Sequence, residues 1–165
     1  MFGLQFNAGA TREALRRAID QLEDMTPIYA DIGEYMVEAT RKRFQAGVSP
    51  SGAAWAPKSA TTLERYKRLG YGSLTKPLIG PGRALSRQIQ RNVSMSHVEI
   101  GSSLIYAGVM QDGAGKGAFG SDRHGRPIPW GRIPARAWLG ISADDERAIV
   151  EIVEEHLAAP LEAKP

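Results

Sequence analysis

Apolar residues at helical spacing open the chain. Leu15, Ile19, Leu22 and Met25 recur every three or four positions, which predicts a helix over 11–25 with Thr11 as its N-cap. Thr26-Pro27 interrupts it and starts a second helix, with Thr26 as cap and Pro27 at the first helical position. Ile28, Ile32, Tyr35, Met36 and Ala39 form the stripe this helix should bury, and Gly47 supplies the left-handed residue that ends it near Ala46. Residues 47–58 read as a loop, in which Trp55 is expected to pack down as a lid on the core. A short helix over Ser59–Leu69, capped by Ser59, stops at GYGS.

The second half changes period. PLIGPG leads into a predicted short helix over Arg83–Arg91, with Leu85 and Ile89 on one face and Arg83, Arg87 and Arg91 in a row on the other. Residues 92–104 alternate as strands do, with a turn near Ser96-His97, and predict a hairpin or bent strand. Ile105–Gln111 fits a helical turn closed by Gly113. The stretch 112–126 holds five glycines and little apolar material. It cannot build a core of its own, so it is expected to be a mobile arm that orders against a neighbour. Ile128–Trp130 and Ile133 suggest a further short strand pair. Ser142 caps a last helix with Asp145 at the capping-box position. That helix has Ile149, Val150, Ile152, Val153 and Leu157 as its apolar stripe and Glu151, Glu154 and Glu155 on the opposite face. The fold class read from this is α+β, with long N-terminal helices, a small antiparallel β-sheet, a C-terminal helix packed on it and a long glycine-rich loop. A single domain over 1–165 is expected, frayed at about 1–10 and 158–165.

Composition adds two constraints. With 165 residues, the chain suits one domain able to bury roughly 70% of its unfolded surface. Having no cysteine, it can hold neither a disulfide nor a thiolate-ligated metal. The longest apolar run, Leu104–Met110, is too short for a membrane span, and the N-terminal charges follow the apolar residues, the reverse of a secretory signal. A soluble protein of a reducing cytoplasm is the expectation. Charge is strongly segregated. Residues 1–40 carry −4, residues 41–136 carry +12 and residues 137–165 carry −5, within a net charge of +3. Such a chain can turn its basic part to phosphate or to the acidic part of another copy. Arg41-Lys42-Arg43 also sits where cations favour a helix C-terminus.

Motifs for catalysis are missing. His97, His124 and His156 are scattered without a second ligand at i+3 or i+4, and Asp122-Arg123-His124 has none of the downstream ligands a His-based nuclease needs. Gly113-Ala114-Gly115-Lys116-Gly117-Ala118 lacks the strand before and the helix after that a dinucleotide fingerprint requires, and Lys116 is followed by glycine rather than by Ser or Thr. Glu64, Glu99, Asp112 and Asp122, the acids of the middle segment, share no spacing that would pair them.

Four strings in fixed order resemble a known family. They are a P-x-G-x-x-W-x-P loop on Pro50, Gly52, Trp55 and Pro57; an L-x-x-x-G-R turn on Leu78, Gly82 and Arg83, with Leu85 after it; a Y-A segment on Tyr106, Ala107 and Gly113; and I-P-A-R-A-W-L-G on Ile133 to Gly140. This order is similar to the phage virion morphogenesis family, which includes the G protein of phage Mu and the S protein of phage P2, and the likeness covers roughly residues 30–157. It departs from the family in having Met110 at a frequent histidine position, one residue between Arg83 and Leu85, and a longer glycine-rich stretch. The resemblance implies a structural virion protein without catalysis, cofactor or metal, assembled in the host cytoplasm. It would complete the tail and join it to the head, in a ring of its own copies, commonly sixfold, through which DNA passes as cargo. Its other partners would be neck and tail proteins, a connector or stopper and the tail tube, and no membrane. Trp55, Gly82, Tyr106, Gly113, Pro134, Arg136, Trp138 and Gly140 are the structural positions it marks. Arg83, Arg87, Arg91, Lys116, Arg123 and Arg126 are the candidates for meeting a partner or the DNA channel. Arg136 is expected either to pair with Asp144 or Asp145 or to face a partner. A sequence-independent nucleic-acid-binding protein and a head-assembly factor of the same virion are the alternatives.

Overall fold

A computed structural model describes residues 9–162. Helix α1 spans Gly9–Glu23 and α2 spans Thr26–Ala46. Thr11 therefore lies inside α1 rather than capping it. Between the helices Asp24 Oδ1 accepts from the Thr26 amide at 3.0 Å, and Thr26 is the first residue of α2 rather than its cap, which falls on Met25. Gly47, at φ 79°, closes α2 by donating to the Arg43 carbonyl. The expected α2 stripe is buried at Ile28, Ile32 and Met36. The apolar stripe of α1 is not: Leu15, Ile19 and Leu22 face outward, because α1 meets α6 along a different side.

Helix α3 (Ala60–Arg68) begins at Ser59, whose Oγ accepts from the Thr62 amide at 3.2 Å. The expected helix over Arg83–Arg91 is only one turn long, α4 (Ala84–Arg87). The chain leaves it at Gln88 and enters strand β1 (Gln90–Val93), paired antiparallel with β2 (Val98–Gly101) around the Ser94–His97 turn. Arg91 therefore belongs to a strand and does not continue the row of Arg83 and Arg87. Leu85 and Ile89 are nonetheless both buried, as expected. The hairpin lies on α2 at Gly33, where a Cβ would stand 2.9 Å from Val98 Cγ2 and 3.0 Å from Arg91 Cδ.

Helix α5 (Ala107–Asp112) ends at Gly113. The glycine-rich stretch folds back on the segment after it. Ala114 bridges Ile133, Ser121 bridges Pro127, and the amides of Gly117 and Phe119 donate to Pro129 and Ile128. Pro127 and Ile133 thus form isolated bridges with this stretch, and residues 128–133 do not make the strand pair expected of them. Helix α6 (Ala143–Glu162) closes the described chain. Its capping box forms as read: the Asp145 amide donates to Ser142 Oγ, and the Ser142 amide donates to Asp145 Oδ2 at 2.6 Å.

The molecule is α+β, with helices around one two-stranded antiparallel sheet and a C-terminal helix. Among the described residues there are two adjoining cores. Ile28, Ile32 and Met36 pack against Ile149, Ile152 and Val153 of α6 and Val98 and Ile100 of the hairpin. Phe44, Trp55, Leu85, Ile89, Ala107 and Trp138 form the second. Among the described residues no helix is long and apolar enough to cross a membrane. Of the ends expected to fray, about 1–10 and 158–165, residues 1–8 and 163–165 lie outside the described residues, while 9–10 and 158–162 belong to α1 and α6.

Candidate functional site

The four strings singled out in the sequence converge. Trp55 comes from the loop after α2, which is pinched shut by its own amide donating to the Gly47 carbonyl at 2.9 Å. Its ring meets Phe44 edge-on, with centroids 5.2 Å apart, and its Nε1 donates to the Ala137 carbonyl at 2.8 Å. The lid expectation is therefore met. Trp138, only 1% exposed, packs on the other side of Phe44 and donates from Nε1 to the Ala107 carbonyl at 3.2 Å. Gln111 clamps the same segment: its Oε1 accepts from the amides of Trp138 and Leu139, and its Nε2 donates to the Leu139 carbonyl.

Arg136 is buried, yet not against Asp144 or Asp145, the carboxylates that were one of its two expected places. Its Nε donates to the Ala56 carbonyl at 2.7 Å and its Nη2 to the Pro57 carbonyl at 2.8 Å. Asp145 is taken instead by Arg43, which also donates to the Gly140 carbonyl at 2.8 Å. A planar guanidinium with donors on two edges suits both tasks. Burial alone would push Asp145 up. The Ser142 hydroxyl and amide, the Arg43 charge and the Tyr35 hydroxyl outweigh it and hold the carboxyl below its ordinary value. Gly113 and Gly140 make the close approach possible. At Gly113, with φ 76°, a Cβ would lie 2.6 Å from the Ile133 carbonyl oxygen. At Gly140, with φ 146°, it would lie 2.8 Å from Pro50 Cγ.

This clasp backs an open basic surface. A cleft of about 600 Å³ runs between α3, the 78–85 turn and the Arg132–Arg136 segment. Leu78, Leu85, Met110, Ile133 and Pro134 give it an apolar floor, and Lys58, Arg83, Arg132 and Arg136 supply its charges. Gly82, Tyr106, Pro134 and Arg136, all marked in the sequence, line it. On the far side of Arg83 lies a second cleft of about 470 Å³ bearing Arg41, Lys76 and Arg87. No Asp or Glu lines either cleft, and among the described residues Arg41, Arg83, Arg87 and Arg132 have no carboxylate partner. The turn that presents Arg83 is strained at both ends, with Leu78 at φ 58° and Arg83 at φ 50°. Such conformations cost of order 1–3 kcal/mol each and gather where a backbone is held for a purpose.

Lys58 braces that turn. Its Nζ donates to the Leu74 carbonyl and, at 2.7 Å, to the Ile79 carbonyl, and lies 4.5 Å from the Tyr66 ring centroid. Burial, helped by the Arg136 charge, pushes its pKa down.

The remaining candidates are elsewhere. Arg91 donates to the Ala30 carbonyl and pairs with Glu34 at 3.4 Å. Arg126 pairs with Asp122 at 2.9 Å and stacks over Trp130, and Arg123 donates to His124, while Lys116 is exposed on the same excursion. None of these four lines either cleft at Arg83. Sequence reading missed Gln111, Lys58, Arg41, Lys76 and Arg132. A lone glutamine in an apolar helix hints at a bond network; Arg41 was read only as part of the basic end of α2, and the single cations Lys58, Lys76 and Arg132 carry no spacing to read. His156 meets Asp31 at 2.7 Å, which fits a structural role. Among the described residues no group of three or more His, Asp or Glu side chains could hold a metal ion.

Comparison with known proteins bears on what such a surface serves. No curated protein and no solved structure matches the chain. Its sequence does match the phage virion morphogenesis family over residues 7–158, nearly its whole length and further toward the N-terminus than the four strings reach, and the chain belongs to that family.

Proposed function

We propose that this protein is a non-catalytic part of the phage neck or tail end, completing the tail and joining it to the head as a ring of copies around the DNA channel. Membership of a virion morphogenesis family supports an assembly role. The observation that carries the reading further is the double cleft at Arg83. A surface with unpaired cations, an apolar floor and no carboxylate is incomplete alone and is satisfied by an acidic neighbour. The outward stripe of Leu15, Ile19 and Leu22 is a second surface of the kind that assembly covers.

Virions carrying Arg83→Glu and Arg87→Glu together test it. The expected outcome is unjoined heads and tails in electron micrographs with the purified variant still folded. Arg91→Glu, whose charge is already engaged by Glu34, should leave joining far less affected. Normal particles from the Arg83/Arg87 variant would end the proposal. The unpaired cations also favour one other reading, sequence-independent binding of nucleic acid. A salt titration separates the two: a steep loss of duplex binding by the isolated chain as salt rises supports the second reading, and negligible binding supports assembly.

A further inference from the structure

We infer that the cleft at Arg83 receives the outer face of helix α6 from a second copy of the chain, with Val150 entering the apolar floor and the glutamates around it meeting the unpaired arginines.

Val150 was expected in the buried stripe of α6 but is 53% exposed. It stands in a shallow outer groove with Glu146, Glu151 and Glu154. Those three carboxylates have no cation partner among the described residues. The one cation in that groove, Arg147, is engaged by Asp144. The outer face of α6 thus carries an exposed apolar side chain ringed by carboxylates. The cleft is its converse, an apolar floor rimmed by Arg83 and Arg132, with Arg87 beside Arg83 in the adjoining second cleft. Burying either alone would strand charge; burying them together pairs it.

The two cannot meet within one copy. Helix α6 packs on α1 and α2, and none of its residues lines either cleft. The contact is therefore between copies, and it joins two different patches. A contact of that kind is head-to-tail and propagates, closing into a ring when the rotation allows. A phosphate backbone fits less well, because it offers nothing to the apolar floor, and Lys58 and Arg136 direct nitrogens at backbone carbonyls instead of outward.

This inference rests on the assembly reading, and the experiment separates their failures. Self-association of the full chain is measured by sedimentation at low salt for the wild type, for Arg83→Glu/Arg87→Glu, for Glu151→Arg/Glu154→Arg, and for all four changes in one chain. Each pair should weaken association at least about tenfold, and the four together should recover most of the loss, since tenfold corresponds to roughly 1.4 kcal/mol. In a second measurement, Val150→Cys on one copy and Gly82→Cys on another should cross-link on oxidation, while Val150→Cys with Ser103→Cys should not. The chain has no cysteine to interfere, and a Cβ at Gly82 meets nothing within 4 Å. A wild type that stays monomeric, pairs that do not rescue each other, or no Val150–Gly82 cross-link would overturn the inference. If the Arg83/Arg87 variant still blocks joining in virions, the assembly reading survives with a different acidic partner.

Discussion

Removing the Asp145 carboxylate should cost more than removing the arginine it binds. Asp145 is 3% exposed and accepts from Arg43, from the Ser142 amide and hydroxyl at 2.6 Å each, and from the Tyr35 hydroxyl at 3.3 Å. One side chain therefore caps α6, ties it to α2 and, through Arg43, fixes the Gly140 carbonyl. Asp145→Ala leaves the Arg43 guanidinium buried without a counter-charge, a change that costs about 3–5 kcal/mol. Arg43→Met leaves Asp145 with three hydrogen bonds, so the loss should be nearer 1–3 kcal/mol. Against a total stability of about 5–15 kcal/mol, both are large. Urea unfolding followed by tryptophan fluorescence reads them, since Trp55 and Trp138 are buried beside the clasp. The double variant should fall short of the summed losses by at least about 1 kcal/mol. The pH dependence has a definite sign. A carboxyl held below its unfolded value contributes stability that is present above the unfolded pKa, about 3.9, and lost as pH falls through the folded one. Asp145→Asn should therefore flatten the decline of stability below about pH 4. Additive losses, or an acid limb unchanged in Asp145→Asn, would refute the account of this pair.

Three further outcomes follow from the same clasp. Trp55→Phe strands the Ala137 carbonyl and should lower stability by about 1–2 kcal/mol, read from the urea midpoint. Gly140→Ala should lower it by about 1–3 kcal/mol through its φ and its clash with Pro50, and Pro50→Ala should recover part of that loss. Gly82→Ala, with open space around it, should stay within about 0.5 kcal/mol of the parent in the same assay.

Local patterns were the legible part of this chain. The caps at Ser59 and Ser142, the end of α2 at Gly47 and the hairpin turning at Ser96-His97 all depend on neighbours within a few residues, and the lid at Trp55 was legible from its residue type in a Pro/Gly loop. Errors gathered where distant contacts decide. Arg83, Arg87 and Arg91 obey helical spacing, but the hairpin's packing on Gly33 draws residues 90–93 into a strand, and the row ends. Asp145 was one of two carboxylates offered to Arg136 on sequence proximity, with a partner contact as the alternative. It takes Arg43 instead, from 102 positions away, and Arg136 turns to carbonyls of the loop. Val150 shares the apolar spacing of α6, yet α6 is covered on one side only, so the flank of the stripe stays in water. The clefts escaped notice because their cations come from five separate stretches of chain.

The clasp and the basic surface are mechanically one object. Arg136 fixes the carbonyls of Ala56 and Pro57, and the next residue, Lys58, fixes those of Leu74 and Ile79 at the start of the strained turn that carries Arg83. A turn with unfavourable φ at Leu78 and Arg83 holds its shape only if something outside it does the holding. Lys58→Met keeps most of the aliphatic stem and removes the donors. Hydrogen exchange should then quicken at the amides of Leu74 and Arg83, while Trp138 and Leu139, clamped by Gln111, keep their protection. Self-association through the cleft should weaken along with the turn, although Lys58 makes no ion pair of its own among the described residues. Unchanged exchange at Arg83 would mean that the turn holds itself and that Lys58 is an ordinary half-buried cation.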